Sequence, residues 1–156
     1  MKGKDEKILL ILVLFIVQLQ SSTYNIKDIS ACSKGDSVAC NRIGILYESG
    51  SSVKKNYPKA KQYYKKSCET KFEDGCQNLA QMFSKEKKYH SAFKYYSEGC
   101  SFNNGDDCSD LALLFEKGKG VKLNYGQAKK FHKKACDLGN KKSCKIYTYL
   151  NKNGIS

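Results

Sequence analysis

Two residue patterns in this chain could do chemistry: eight cysteines in four pairs, and serines followed three places later by lysine. The cysteines stand as CSKGDSVAC (32–40), CETKFEDGC (68–76), CSFNNGDDC (100–108) and CDLGNKKSC (136–144), with seven residues between partners each time. Cysteines repeated in this way can bind metal, shuttle electrons or staple the backbone. No C-x-x-C occurs, so neither a zinc knuckle nor a thioredoxin-like redox pair has its usual spacing, and structural disulfides are expected. The serine–lysine spacing, which could pair a nucleophile with a proton acceptor, occurs at Ser51/Lys54, Ser52/Lys55, Ser84/Lys87 and Ser91/Lys94. Roughly three such matches arise by chance in a chain this rich in both residues, so the pattern carries little weight. A metal centre is not expected either, because only His90 and His132 are present and His132 holds an aromatic packing position. No cofactor is implied. The adjacent acids Glu73-Asp74 and Asp106-Asp107 precede helical stripes, where a helix N-terminus stabilises negative charge without any catalytic role.

The compartment supports the staples. The chain opens with MKGKDEKILLILVLFIVQLQSS, three lysines ahead of an apolar run from Ile8 to Val17. This reads as a secretory signal peptide over residues 1–22, since ten apolar residues fall short of the ~20 that span a bilayer. A secreted or periplasmic product is expected, without a transmembrane anchor, in an oxidising space where disulfides persist. Removing residues 1–22 takes away Lys2, Lys4, Lys7, Asp5 and Glu6, so the formal charge of +13 becomes +12. The lysines come as scattered pairs, without the aromatic interleaving of a nucleic-acid module, and read as a solvated outer face. Lys65, Lys66, Lys133 and Lys134 fall where helices end, which favours cations.

The elements that position these residues repeat as well. Counting three, four, six and seven places after the second cysteine of a pair gives Ile43, Gly44, Leu46 and Tyr47, then Leu79, Ala80, Met82 and Phe83, then Leu111, Ala112, Leu114 and Phe115. Offsets of 0, 3, 4 and 7 share one helical face. Counting back from the next first cysteine gives a second stripe, with Tyr57, Tyr89 and Tyr125, then Ala60, Ala92 and Ala128, then the ring pairs Tyr63-Tyr64, Tyr95-Tyr96 and Phe131-His132. Each unit is therefore an A helix followed by a B helix. Gly50, Gly118 and Gly120 suit the end of the first, and Asn56 and Asn124 suit the start of the second. A period of this size with two helices per unit marks an all-α, α/α solenoid. The small Gly44, Ala80 and Ala112 mark a close helix crossing.

That architecture fixes the cysteine pairing. Residues eight apart in one helix lie ~12 Å apart, whereas a disulfide needs Cα atoms at roughly 4.4–6.8 Å. Cys32–Cys40, Cys68–Cys76, Cys100–Cys108 and Cys136–Cys144 must each straddle a turn from a B helix to the next A helix, reversed at Gly35, Lys71, Asn103 and Gly139.

The pattern L-G-x-L-Y-E-x-G-x-G-V, then Y-x-K-A-x-x-Y-Y-x-K-A-C and C-x7-C, resembles Sel1-like repeats, relatives of the tetratricopeptide repeat, in the disulfide-stapled form of the Helicobacter cysteine-rich proteins. The resemblance runs from about Tyr24 to Tyr149, and it implies a right-handed solenoid over residues 23–156. Its units are 24–39 (partial), 40–75, 76–107, 108–143 and 144–156 (partial). It implies two functions: slow hydrolysis of penicillin-type β-lactams, or binding of a peptide, a host protein or a peptidoglycan-derived fragment. For the first, the S-D-N motif that accompanies S-x-x-K in serine β-lactamases is absent. For the second, A-helix positions one, five and eight after the cysteine are free of the core and would line a concave face. These are Asn41, Ile45 and Glu48; Gln77, Gln81 and Ser84; Ser109, Leu113 and Glu116; and Lys145 and Tyr149. A monomeric binding module is the favoured reading.

Overall fold

The protein is described by a computed structural model over residues 7–14 and 27–155. Residues 7–14 are helical with exposed apolar side chains. The rest of the expected signal peptide, and its cleavage point near Thr23, lie outside the described residues. Among those described, no helix is long and apolar enough to cross a membrane.

The described chain is helical throughout its regular structure. A short helix α1 (27–33) is followed by α2 (Ser37–Ser49), α3 (Tyr57–Glu69), α4 (Glu73–Lys85), α5 (Tyr89–Ser101), α6 (Gly105–Lys117), α7 (Tyr125–Asp137) and α8 (Lys141–Lys152). Packing is closest within the pairs α2/α3, α4/α5 and α6/α7, and each B helix also packs on the following A helix. This is the solenoid that the repeat period predicts.

The local stops and starts follow the residue chemistry. Gly50 and Gly118 end α2 and α6 in the left-handed conformation, at φ 75° and 58°. Asn56 and Asn124 cap α3 and α7 by accepting from the amides of Lys59 and Gln127. The A helices α2, α6 and α8 have caps that the periodicity did not single out, namely Asp36, Asn104 and Asn140, each accepting from the amide three residues on, whereas α4 starts after Phe72 with no side-chain cap. Such a cap contributes about 1 kcal/mol.

The reversal between units is made by Gly35, Lys71, Asn103 and Gly139, all with positive φ between 64° and 93°. Across each turn the paired cysteines are disulfide-bonded, with Cα atoms 4.5–4.7 Å apart. Closing so short a loop stabilises by roughly 2–3 kcal/mol per bond in the chain-entropy picture. At the N-terminal end, α1 is held to α2 by Arg42, whose Nη2 donates to Asp28 Oδ1 at 2.6 Å while Nε donates at 3.2 Å.

Each unit has the same core. The first ring of the B-helix pair stacks on the A-helix aromatic seven places after the cysteine: Tyr63 on Tyr47, Tyr95 on Phe83, and Phe131 on Phe115, at 5.6–5.7 Å between centroids. Stacked pairs add about 0.5–1.5 kcal/mol beyond burial. The small crossing residues are buried, and at Gly44 the reason is explicit. A Cβ there would sit 2.5 Å from the Tyr64 ring.

Candidate ligand groove

The second ring of each B-helix pair turns inward and needs a polar partner. The A helix supplies it from the eighth place after the cysteine. Tyr64 Oη donates to Glu48 Oε2 at 2.7 Å, the Tyr96 hydroxyl is neighboured by Ser84 and Asp110, and His132 Nε2 lies 3.1 Å from Glu116 Oε1. Burial, reinforced by the nearby carboxylates, pushes both tyrosine hydroxyls well above the usual phenol range. Burial also lowers the His132 imidazole, against the opposing pull of Glu116.

The positions expected to line the groove therefore divide. Asn41 and Ser109 are buried, at 7% and 6% exposure, and belong to the joints between units. Asn78 Nδ2 donates to Asn41 Oδ1 at 2.9 Å, and Ser143 Oγ donates to Ser109 Oγ at 2.9 Å. Neither can reach a ligand on an open face. A single-unit helical wheel leaves this offset free because it omits the next unit's helix. Glu48, Ser84 and Glu116 are half-buried, and Glu48 and Glu116 are already hydrogen-bonded within their own units. Ile45 is exposed, Gln77, Gln81 and Leu113 are half-buried, and Lys145 and Tyr149 are exposed. On the three full A helices the fifth-place Ile45 is the one exposed member of the set, while Gln81 and Leu113 at the same offset are half-buried.

Two cavities open at equivalent places between successive A helices. The first, about 240 Å³, is lined by Glu48, Tyr57, Met82, Lys85 and Glu86. The second, about 140 Å³, has Ser84, Tyr89, Leu114 and Lys117 at the same four repeat positions, with Met82 answered by Leu114 and Lys85 by Lys117. Tyr96, Asp110, Leu113 and Lys119 complete it. The tyrosine that opens each B helix forms one wall. Periodicity alone placed those tyrosines in the B-helix stripe, yet Tyr57 is 49% exposed. Their recurrence at one offset was the available signal.

The hydrolase chemistry implied by the resemblance meets two obstacles. Ser143 Oγ, His132 Nδ1 at 3.0 Å, and Glu116 on the far ring nitrogen have the connectivity of a nucleophile relay. Ser143 and His132, however, are both fully buried, and no substrate carbonyl can reach the serine. Ser84 lies in the second cavity beside Tyr96, whose raised pKa makes it no base. The lysine of its motif, Lys87, is the left-handed turn residue after α4, at φ 59°. Ser51 and Ser52 stand in the exposed α2–α3 loop, and Ser91 in α5. One group of metal-ligand types gathers among the described residues, Cys68, Cys76 and Glu98. Both sulfurs are committed to a disulfide.

One buried group was missed. Asp107, in the first turn of α6, was expected to face the helix dipole, yet it is fully buried and neither carboxyl oxygen has a hydrogen-bond partner among the described residues. It fits because Gly99 opposite has no side chain; a Cβ there would overlap Asp107 Oδ2. Burial first, then Asp110, Asp106, Asp74 and Glu73, push its pKa up to about 8.

A stapled stack of two-helix units with a periodic row of inter-unit cavities defines the protein as a helical repeat scaffold. The Sel1 repeat family matches residues 37–69, 74–101 and 106–140, and the chain belongs to that family. Helicobacter pylori cysteine-rich protein B has a similar structure, with 30% identity and a TM-score of 0.65, over 83% of this chain and 96% of that one. A Sel1 repeat protein from Oxalobacter formigenes is similar at 21% identity and TM-score 0.71, over 79% of this chain and 96% of its own. The protective antigen c5321 of uropathogenic Escherichia coli, described as an SLR fold, is similar at 23% identity and TM-score 0.75. The likeness covers 81% of this chain but 28% of that antigen. No curated protein matches the sequence significantly.

Proposed function

We propose that this protein is an exported binding module that holds an extended peptide, a segment of a partner protein or a cell-wall peptide along the open face of its A helices. The observation that carries this reading is the recurrence of one cavity, with tyrosine wall, apolar floor and rim lysine, at the same register in two successive units. A periodic row of side-chain pockets on a rigid stack suits a ligand that is itself periodic and extended. Stacked Sel1 units are scaffolds of the kind typical of protein–protein interaction, and the disulfides fit an oxidising, extracytoplasmic setting.

The test is capture of peptides from a random library by the oxidised protein, compared with Ile45→Glu, Gln81→Ala and Leu113→Lys combined. Loss of capture with helical content unchanged supports the groove; undiminished capture removes it. In parallel, nitrocefin turnover no faster than that of a disulfide-matched control protein is expected. Turnover clearly above the control, lost in Ser84→Ala, would replace binding with hydrolysis as the primary activity.

A further inference from the structure

Resting on the groove reading, we propose that the second cavity takes the side-chain carboxylate of an aspartate or glutamate in an extended peptide, with Lys117 as its counter-charge, and that Glu48 closes the first cavity to the same group. The two cavities share a register, so their lysines, Lys85 and Lys117, occupy the same repeat position. What differs is the residue at the eighth place of the preceding A helix. In the first cavity it is Glu48, and Lys85 Nζ donates to its Oε1 at 3.2 Å. In the second it is Ser84, and Lys117 has no carboxylate within ion-pair distance among the described residues. The first lysine is neutralised internally and the second is open to an external anion.

The surroundings suit a carboxylate carried on a short side chain. Lys119 reinforces the positive rim, its Nζ lying 3.3 Å from Tyr89 Oη and 4.8 Å from the ring centre. The volume, about 140 Å³, is that of one side chain and far too small for a helix or a nucleotide. Asp110 is the one acid in the lining, beside Tyr96. Burial holds its pKa above the usual carboxylate range. The formal charge of +12 that remains without residues 1–22 adds a long-range attraction for acidic partners.

The experiment uses two oriented peptide libraries that differ only in one fixed position, Glu in one and Gln in the other. They are applied to the oxidised protein at low ionic strength. The native protein is expected to retain the Glu library roughly fivefold over the Gln library, the scale of one exposed ion pair with a second lysine nearby. Ser84→Glu, which rebuilds the internal pair of the first cavity, should abolish the preference without loss of helicity. Glu48→Gln, which keeps an acceptor for Tyr64 but releases Lys85, should increase it. Equal retention of both libraries by the native protein, or a preference that survives Ser84→Glu, overturns the carboxylate assignment and leaves the groove standing. Retention of neither library overturns the groove reading and this assignment together.

Discussion

The joint between the first and second full units and the joint between the second and third are built from the same parts, but they manage charge in opposite ways. At the first, Glu48 satisfies Tyr64 and Lys85 together, and small Ser67 faces small Gly75 across the turn, the serine hydroxyl donating to Ser37 O at 2.8 Å. At the second, Tyr96 has Asp110 and Ser84 as its polar neighbours, Lys117 has no carboxylate within ion-pair distance among the described residues, and Gly99 faces the buried Asp107, whose oxygens have no partner among those residues. The repeat fixes shape and register. Single residues at fixed offsets decide whether charge is spent inside the scaffold or kept available, so a repeat protein can vary its ligand preference without altering its stack.

The largest effect that separates the joints should come from Gly99→Ala. Its Cβ would collide with Asp107, and about 3 kcal/mol of unfolding free energy should be lost in urea titration. Adding Asp107→Ser should restore most of that loss, a coupling that a purely backbone effect of the alanine would not show. Next, removing the staples as alanine pairs, Cys68/Cys76 or Cys100/Cys108, should cost roughly 2–3 kcal/mol each and nearly equally, because the loops are of equal length. Unequal losses would mean that the joints differ in more than charge.

Asp107 then separates the joints by pH. Its folded pKa, about 8, lies above the ~4 of an unfolded aspartate, so the folded chain holds a proton that the unfolded chain has released. Its contribution is complete below about pH 4 and is lost as pH rises towards 8, with a slope of at most about 1.4 kcal/mol per pH unit. Denaturation midpoints measured from pH 5 to 8 should fall in the native protein and flatten in Asp107→Ser. His132 acts in the other sense. Its lowered pKa withdraws stability as pH drops below ~6.5, so the flattened variant should retain a shallow acid-side decline. The smallest effect is Tyr64→Phe against Tyr96→Phe, each about 1 kcal/mol. The first should also loosen Glu48 and so raise the retention of the Glu library slightly.

Much of the scaffold could be read from the residues because backbone geometry dictated them. A reversal at Gly35, Asn103 and Gly139, and a stop at Gly50 and Gly118, each call for a residue tolerant of positive φ, and the cysteines bracket the turn. Lys71 shows the limit, since it takes φ 64° with no such tolerance and is recognisable only by its place in the repeat. The groove was less legible. Asn41 and Ser109 have the offsets of an open helical face, but the neighbouring unit covers them, and one unit's periodicity contains no information about its neighbour's helix. Asp107 was misread for the same reason, because the space it fills belongs to Gly99 on another helix. Aligning the residues before each cysteine would have exposed it: Ser67, Gly99 and Ala135 against Gly75, Asp107 and Ser143 pair a small side chain with whatever opposes it.

The turn from A helix to B helix covers 50–56 in the first full unit and 118–124 in the third but only 86–88 in the second, and this unevenness has a consequence for how such a protein can change. Every covalent clip lies at the opposite turn, from B helix to A helix, so the stack is bound along one edge like the spine of a book while its fore-edge is trimmed unevenly. Residues 51–55 and 119–123 lie on that loose margin, beside Tyr57 and Tyr89, which wall the two cavities. Lengthening or shortening there leaves the binding of the pages untouched and reshapes only the rim that a visiting chain would meet first.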